Sequence, residues 1–244
     1  MATKTTGLVS HGQWPYSLSV PFLQPTYILA ILIALSVHEC AHAWMADRLG
    51  DPTARMLGRR TLNPIAHLDP LGSILFLVIG FGWGKPVPVD PRYFRHPKRD
   101  SALVALAGPM SNLLLAILSF MGFFFVVGDA GSHSLTSYLM AEGGSAPVLT
   151  LFLTKFFAGS LFVNLTLMAF NLLPVAPLDG SKIIQPFVPL RFDDLYEEFL
   201  RRGPFILLGL LIAERFLGVP LLFTWISTIA EGVLSVLFLL FAVR

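Results

Sequence analysis

The chain has 244 residues, 55% of them hydrophobic and only 13% charged, with a mean hydropathy of +0.70. A soluble domain of this length carries about a quarter charged residues, so the composition excludes an ordinary soluble protein and places the chain in a bilayer. The single cysteine, Cys40, excludes an intramolecular disulfide, and the net charge of +2 says little, because in a membrane the position of charge matters more than its sum.

Residues 1–25 contain no long apolar core and no small-residue cleavage site, and so read as a tail, not a cleaved signal peptide. The first stretch able to span, at roughly 20 apolar residues, runs from Thr26 to Ala46. Arg48, Arg55, Arg59 and Arg60 follow it. Asn63–Pro70, which includes His67 and Asp69, reads as turn chemistry. Leu71–Trp83 is apolar but only about thirteen residues long, which suits a re-entrant segment better than a span. Lys85, Arg92, Arg95, Lys98 and Arg99 flank its far end. Basic loops stay cytoplasmic, so two basic flanks favour a segment that dips in and returns. Overlapping its end, Gly80–Val89 alternates as a short hairpin or edge strand would, with prolines tolerated only at an edge.

The second span runs from Ser101 to Val127. The loop 128–146 holds Asp129 and Glu142 but no Lys or Arg, as expected of the opposite face. The third span runs from Pro147 to Leu172, and the 173–203 connection is again basic at Lys182, Arg191, Arg201 and Arg202. The C-terminal run divides at Gly218-Val219-Pro220 into Pro204–Leu217, which is short and carries Glu214 and Arg215, and Pro220–Val243. The expected fold is an all-α integral membrane protein with about five transmembrane helices, or six if Leu71–Trp83 crosses. Its N-terminus lies outside and Arg244 inside. One domain fills residues 1–244: a tail (1–25), a core (26–180) containing the re-entrant segment (71–90), and C-terminal helices (181–244). Lys155, Glu214, Arg215 and Glu231 lie in or near apolar runs, where pairing of Glu231 with Lys155 or Arg215 would offset their burial. No phosphate-binding glycine loop, paired-cysteine metal site or nucleic-acid patch occurs.

The first span contains His38-Glu39-Cys40-Ala41-His42. Residues i and i+4 lie on one helical face, so both imidazoles can reach one zinc, while the intervening Glu39 can reach water at the metal as a general base. Composition alone predicts about 0.004 such patterns by chance. At ~1.5 Å per residue from Thr26, His38 and His42 lie about 18 and 24 Å into a core about 30 Å thick. Packed core histidines without a metal are the plain alternative, and an unpaired His-Glu-His cluster in hydrocarbon is costly. Cys40, between them, reads as packing.

A catalytic zinc needs a third protein ligand. Asn171-Leu172-Leu173-Pro174-Val175-Ala176-Pro177-Leu178-Asp179-Gly180 breaks the third span with two prolines near the cytoplasmic side. Asp179 by itself reads equally well as a helix cap, with His67 as a rival ligand. If Leu71–Trp83 re-enters, however, the next two spans carry the chain out and back, and Asp179 returns to the side of His42.

Together, HECAH (38–42) and NLLPVAPLDG (171–180) resemble the two signatures of the site-2 protease family of intramembrane zinc metalloproteases, over about Thr26–Gly180. The resemblance implies one Zn²⁺ per chain on His38, His42 and Asp179, with Glu39 as general base. It also implies that Asn171 contacts the substrate carbonyl or oxyanion. AGPMSN (107–112) looks like a further Gly-Pro-x-x-Asn element, which makes Asn112 a candidate substrate-binding residue. Many relatives carry a PDZ or regulatory domain, for which this chain has no space. The expected activity is hydrolysis of a peptide bond in or near a transmembrane segment of a membrane-protein substrate, from the cytoplasmic side of the cell (inner) membrane. An unwound substrate would pair by strand addition with the 80–89 segment, placing Val87 and Val89 against it. The alternatives are a non-proteolytic zinc-binding membrane protein on the same scaffold, which has no need of Glu39, and a metal transporter, which would distribute ligands across several spans.

Overall fold

A computed structural model describes residues 24–79, 82–127 and 147–241, so the expectations for the N-terminal tail and the acidic loop 128–146 lie outside the described residues. Among the described residues all regular structure is helical: α1 (Pro25–Arg48), α2 (Thr53–Met56), α3 (Pro70–Ile79), α4 (Pro97–Val127), α5 (Val148–Asn171), α6 (Asp179–Ile184), α7 (Asp193–Leu217) and α8 (Leu221–Phe241).

Four of these, α1, α4, α5 and α8, are long and apolar enough to cross a membrane. Pro25 opens α1 at a position where its missing N–H costs nothing. At the other end the Asp51 N–H bonds Ala46 O and the Gly50 N–H bonds Asp47 O, which satisfies the last carbonyls. The fifth expected span, Pro204–Leu217, belongs to α7. That helix begins eleven residues earlier, with Asp193, Asp194, Glu197, Glu198, Arg201 and Arg202. Its apolar part is too short for a full crossing of about 20 residues. Glu214 neither faces lipid alone nor pairs with Arg215: its carboxylate accepts the Leu222 and Phe223 N–H groups and so caps the start of α8. Among the described residues no ion pair joins Glu231 to Lys155 or Arg215.

The core lies where α4 and α5 pack together, with α1 on one side and α8 on the other. Ala116 and Phe120 of α4, Leu161, Leu165 and Met168 of α5, and Ala230 and Leu237 of α8 form one buried cluster. Ala30 and Ala34 of α1 pack against Val163 of α5. Small residues permit close helix approach, which drives association where lipid tails are as apolar as leucine. On the outer side of α4, Leu114, Leu118, Met121 and Phe125 are exposed, as a lipid-facing surface requires.

The expected re-entrant stretch begins in a ten-residue helix, α3 (Pro70–Ile79), about 15 Å long, which is half the hydrocarbon core. Its two ends lie side by side. The Lys85 N–H donates to His67 O at 2.8 Å, and Leu68 and Gly84 form an isolated antiparallel bridge. Asp69 caps α3 by accepting the Gly72 N–H at 2.8 Å, and buried His67 bonds Thr61 O, so both residues serve the turn. The expected β-hairpin is absent among the described residues: residues 85–90 form no regular element and have no partner strand. Pro86 and Pro88 carry no N–H for a ladder, and the intervening Val87 N–H is bound elsewhere.

Candidate metal centre and the groups around it

Helix α1 places His38 and His42 one turn apart, with ring centroids 4.6 Å apart and rings nearly perpendicular. Each ring is fixed through Nδ1. His38 Nδ1–H donates to Asn112 Oδ1 at 2.6 Å and His42 Nδ1–H to Val104 O at 2.7 Å, both on α4. A neutral imidazole that donates from one nitrogen offers a lone pair at the other. The two Nε2 atoms therefore face each other as acceptors, 3.0 Å apart.

Asp179 completes the cluster. Helix α5 ends at Asn171, and Pro174 and Pro177 prevent its continuation. The irregular segment that follows buries Leu173, Val175 and Leu178 against Leu207 of α7 and Leu222 of α8. Non-helical backbone at membrane depth is tolerated where protein covers it in this way. Gly180 lies where an added Cβ would fall 2.4 Å from the Leu172 and Leu173 carbonyls, so only glycine lets α6 start against the end of α5. Asp179, the first residue of α6, then brings Oδ2 to 3.3 Å from both Nε2 atoms.

The three atoms suit a cation. Asp179 Oδ2 is buried with no hydrogen-bond partner. Tetrahedral ligation at about 2.0–2.1 Å separates donor atoms by about 3.3 Å, and the observed separations are 3.0, 3.3 and 3.3 Å. Among the described residues this is the one His, Cys, Asp and Glu grouping of three able to hold a metal ion. A His₂Asp set matches zinc sites that keep a fourth position open.

Helix α4 roofs the site. An added Cβ at Gly108 would lie 2.5 Å from His42 Cε1 and Nε2 and 2.6 Å from His38 Cε1. Both rings are held at Nδ1 and cannot give way. Gly108→Ala is therefore expected to weaken zinc binding and to lower stability by about 1–3 kcal/mol through overpacking. Zinc content and thermal unfolding of the detergent-purified protein would read this, and wild-type values for both would show that the roof is not tight. Asn112, four residues on, is fully buried. The expectation that it contacts substrate is corrected: it lies behind His38, with no surface to offer.

Glu39 is buried beside the histidines, and its Oε2 accepts the Val87 N–H at 3.0 Å. The 85–90 segment is tied down at further points, since Arg59 Nη2 donates to Lys85 O at 2.6 Å and the Asp90 N–H donates to Asp51 Oδ2 at 2.8 Å. The Val87 N–H is thereby directed at Glu39. Val89 packs against Ala46, Phe94 and Val104. Asn171 is half-buried, and its amide donates to Leu167 O at 2.9 Å on its own helix.

Asn164 and Ser160 of α5, which stand out by no motif in the sequence, are buried and joined to Asn112. A polar pair four residues apart in an apolar span was the available signal.

The model of peptidase family M50 matches residues 26–211. The candidate zinc metalloprotease YwhC of Bacillus subtilis is 44% identical over 167 residues, which are 68% of this chain and 71% of that protein. The candidate zinc metalloprotease Rip2 of Mycobacterium tuberculosis is 32% identical over 162 residues, 64% of this chain and 54% of that protein. The regulator of sigma-E protease RseP of Salmonella typhimurium is 28% identical over 130 residues, 47% of this chain and 28% of that protein. No solved structure matches significantly. Four apolar helices, a His₂Asp cluster on the HExxH helix and a family match spanning both motifs agree: the chain is an integral membrane protein and belongs to peptidase family M50, the site-2 protease family of zinc metalloproteases.

Proposed function

We propose that this protease hydrolyses a peptide bond in or near a transmembrane segment of a membrane-protein substrate, with one Zn²⁺ held by His38, His42 and Asp179. The observation that carries this reading is the convergence of His38 Nε2, His42 Nε2 and Asp179 Oδ2, 3.0–3.3 Å from one another, at the helix that also carries Glu39. Zinc in such a site supplies Lewis acidity toward water and the scissile carbonyl. Glu39 accepts the proton of the attacking water as its oxygen bonds the carbonyl carbon, and returns it to the amine as the C–N bond breaks. Asn171 serves as an oxyanion donor once its amide leaves Leu167 O.

The substrate enters as an extended strand along the Glu39 edge of residues 85–89. Its carbonyl takes the Val87 N–H that Glu39 now holds, and the same exchange frees the base where the scissile bond arrives. The basic flanks, the adjoining ends of α3 and the position of Asp179 favour a cytoplasmic-side site in the cell membrane.

Reconstitution in liposomes with a tagged single-span polypeptide tests the substrate class. Mass spectrometry of the products should place the cut within or beside the membrane segment. Equal or faster cutting of a soluble peptide, or cuts confined to an extramembrane region, would overturn it.

A further inference from the structure

Behind His38 runs a chain of buried amides whose direction is set at its far end. Asn164 Nδ2 donates to the backbone carbonyl of Ser160 at 2.8 Å. A carbonyl only accepts, so Asn164 must present its NH₂ there and its Oδ1 on the other side. That oxygen receives Asn112 Nδ2 at 2.9 Å, and a second acceptor, Ala34 O of α1, lies 3.4 Å from the same nitrogen. Asn112 is thereby left with Oδ1 facing His38 Nδ1 at 2.6 Å. An acceptor at that distance requires the proton on Nδ1, which leaves Nε2 deprotonated and aimed at Asp179. Both asparagines are fully buried, so water cannot exchange for any link. A reversed Asn112 would confront Nδ1 with an N–H and draw the proton to Nε2, the tautomer with no Nε2 lone pair to offer a metal at the cluster.

We infer that Asn164 is a positioning residue for the metal centre, orienting the Asn112 amide so that His38 keeps its proton on Nδ1 and its Nε2 lone pair for the ion. The inference rests on the assignment of zinc to His38, His42 and Asp179. His42 needs no such relay, because its Nδ1 partner, the Val104 carbonyl, cannot be reversed.

Two isosteric replacements separate orientation from packing. In Asn164→Thr the hydroxyl donates to Ser160 O, an i−4 bond that threonine makes readily, and still offers a lone pair to Asn112. Asn164→Val has the same shape and neither function. Zinc affinity of the full-length protein in detergent, measured by competition with a chelator, should fall about 10–100-fold for Asn164→Val, the range for loss of an outer partner. Asn164→Thr should stay nearer to wild type. In an Asn112→Asp background, where either carboxylate oxygen accepts the His38 proton, the gap between the Val and Thr forms should nearly vanish. ¹⁵N spectra of the metal-free protein should show His38 protonated at Nδ1 in wild type and a tautomer mixture in Asn164→Val. Equal zinc affinity for the Val and Thr forms, with thermal stability of the metal-free protein reduced alike in both, would reduce Asn164 to a packing residue and overturn the inference. Should wild-type protein bind no zinc, the metal assignment falls, while the ¹⁵N tautomer of His38 still decides the part that Asn164 plays.

Discussion

Glu39→Gln is expected to retain about one zinc per chain and to lose roughly 10²–10⁴-fold in turnover, the usual worth of a positioned general base. Glutamine has the shape of glutamate, and its side-chain carbonyl can still accept the Val87 N–H that Glu39 holds at 3.0 Å. The 85–90 segment should therefore keep its place, and a tagged membrane substrate should still bind. What disappears is the carboxylate able to take a proton from water. Zinc content, substrate capture and single-turnover cleavage measured on one preparation read the three quantities separately. Wild-type turnover in this variant would dismiss Glu39 as the base. Loss of zinc with loss of turnover would show instead that the residue acts through the fold of the site.

Asp179→Ala is expected to lose zinc by more than the roughly 10–100-fold that removal of an outer partner costs, because it deletes one of the three proposed ligands and the only anion among them. The two imidazoles would remain fixed by Asn112 and Val104, so their geometry should survive. Two neutral ligands do not make up a catalytic zinc site. His67→Ala is the control. That ring is committed to Thr61 O in the turn before α3, and zinc content should be unchanged. The reverse result, zinc kept by Asp179→Ala and lost by His67→Ala, would move the third ligand to His67. Direct metal analysis of the purified variants is sufficient for either outcome.

Much of the architecture was legible in the sequence because a bilayer imposes simple rules. A span must be about 20 apolar residues long, and basic loops stay on one side. These rules located α1, α4, α5 and α8 to within a few residues. They separated α3 as too short, and its ends do lie side by side. The rules were less decisive at the C-terminal run, where Pro204–Leu217 belongs to a longer helix with a charged first third. An apolar stretch marks what can be buried in lipid but not where its helix begins. The alternation of Gly80–Val89 suggested a hairpin or edge strand that is absent among the described residues, since a strand pattern does not name what accepts its N–H groups.

The metal cluster divides in the same way. That His38 and His42 lie together was legible in the sequence alone, because i and i+4 share a helical face whatever surrounds them. Asp179 could be paired with them from 137 residues away only through the parity of the intervening spans. Its approach to 3.3 Å depends on the broken end of α5 packing under α7 and α8. The groups that orient the imidazoles were beyond sequence reading. Val104 contributes a backbone carbonyl, which no side chain announces, and Gly108 contributes the absence of a Cβ. Asn112 was visible as a motif residue but was assigned to substrate, since nothing local says which way a helical amide faces. Asn164 and Ser160 acquire meaning only when α5 is laid against α4, because a hydrogen bond between helices is set by their packing register and not by either sequence alone.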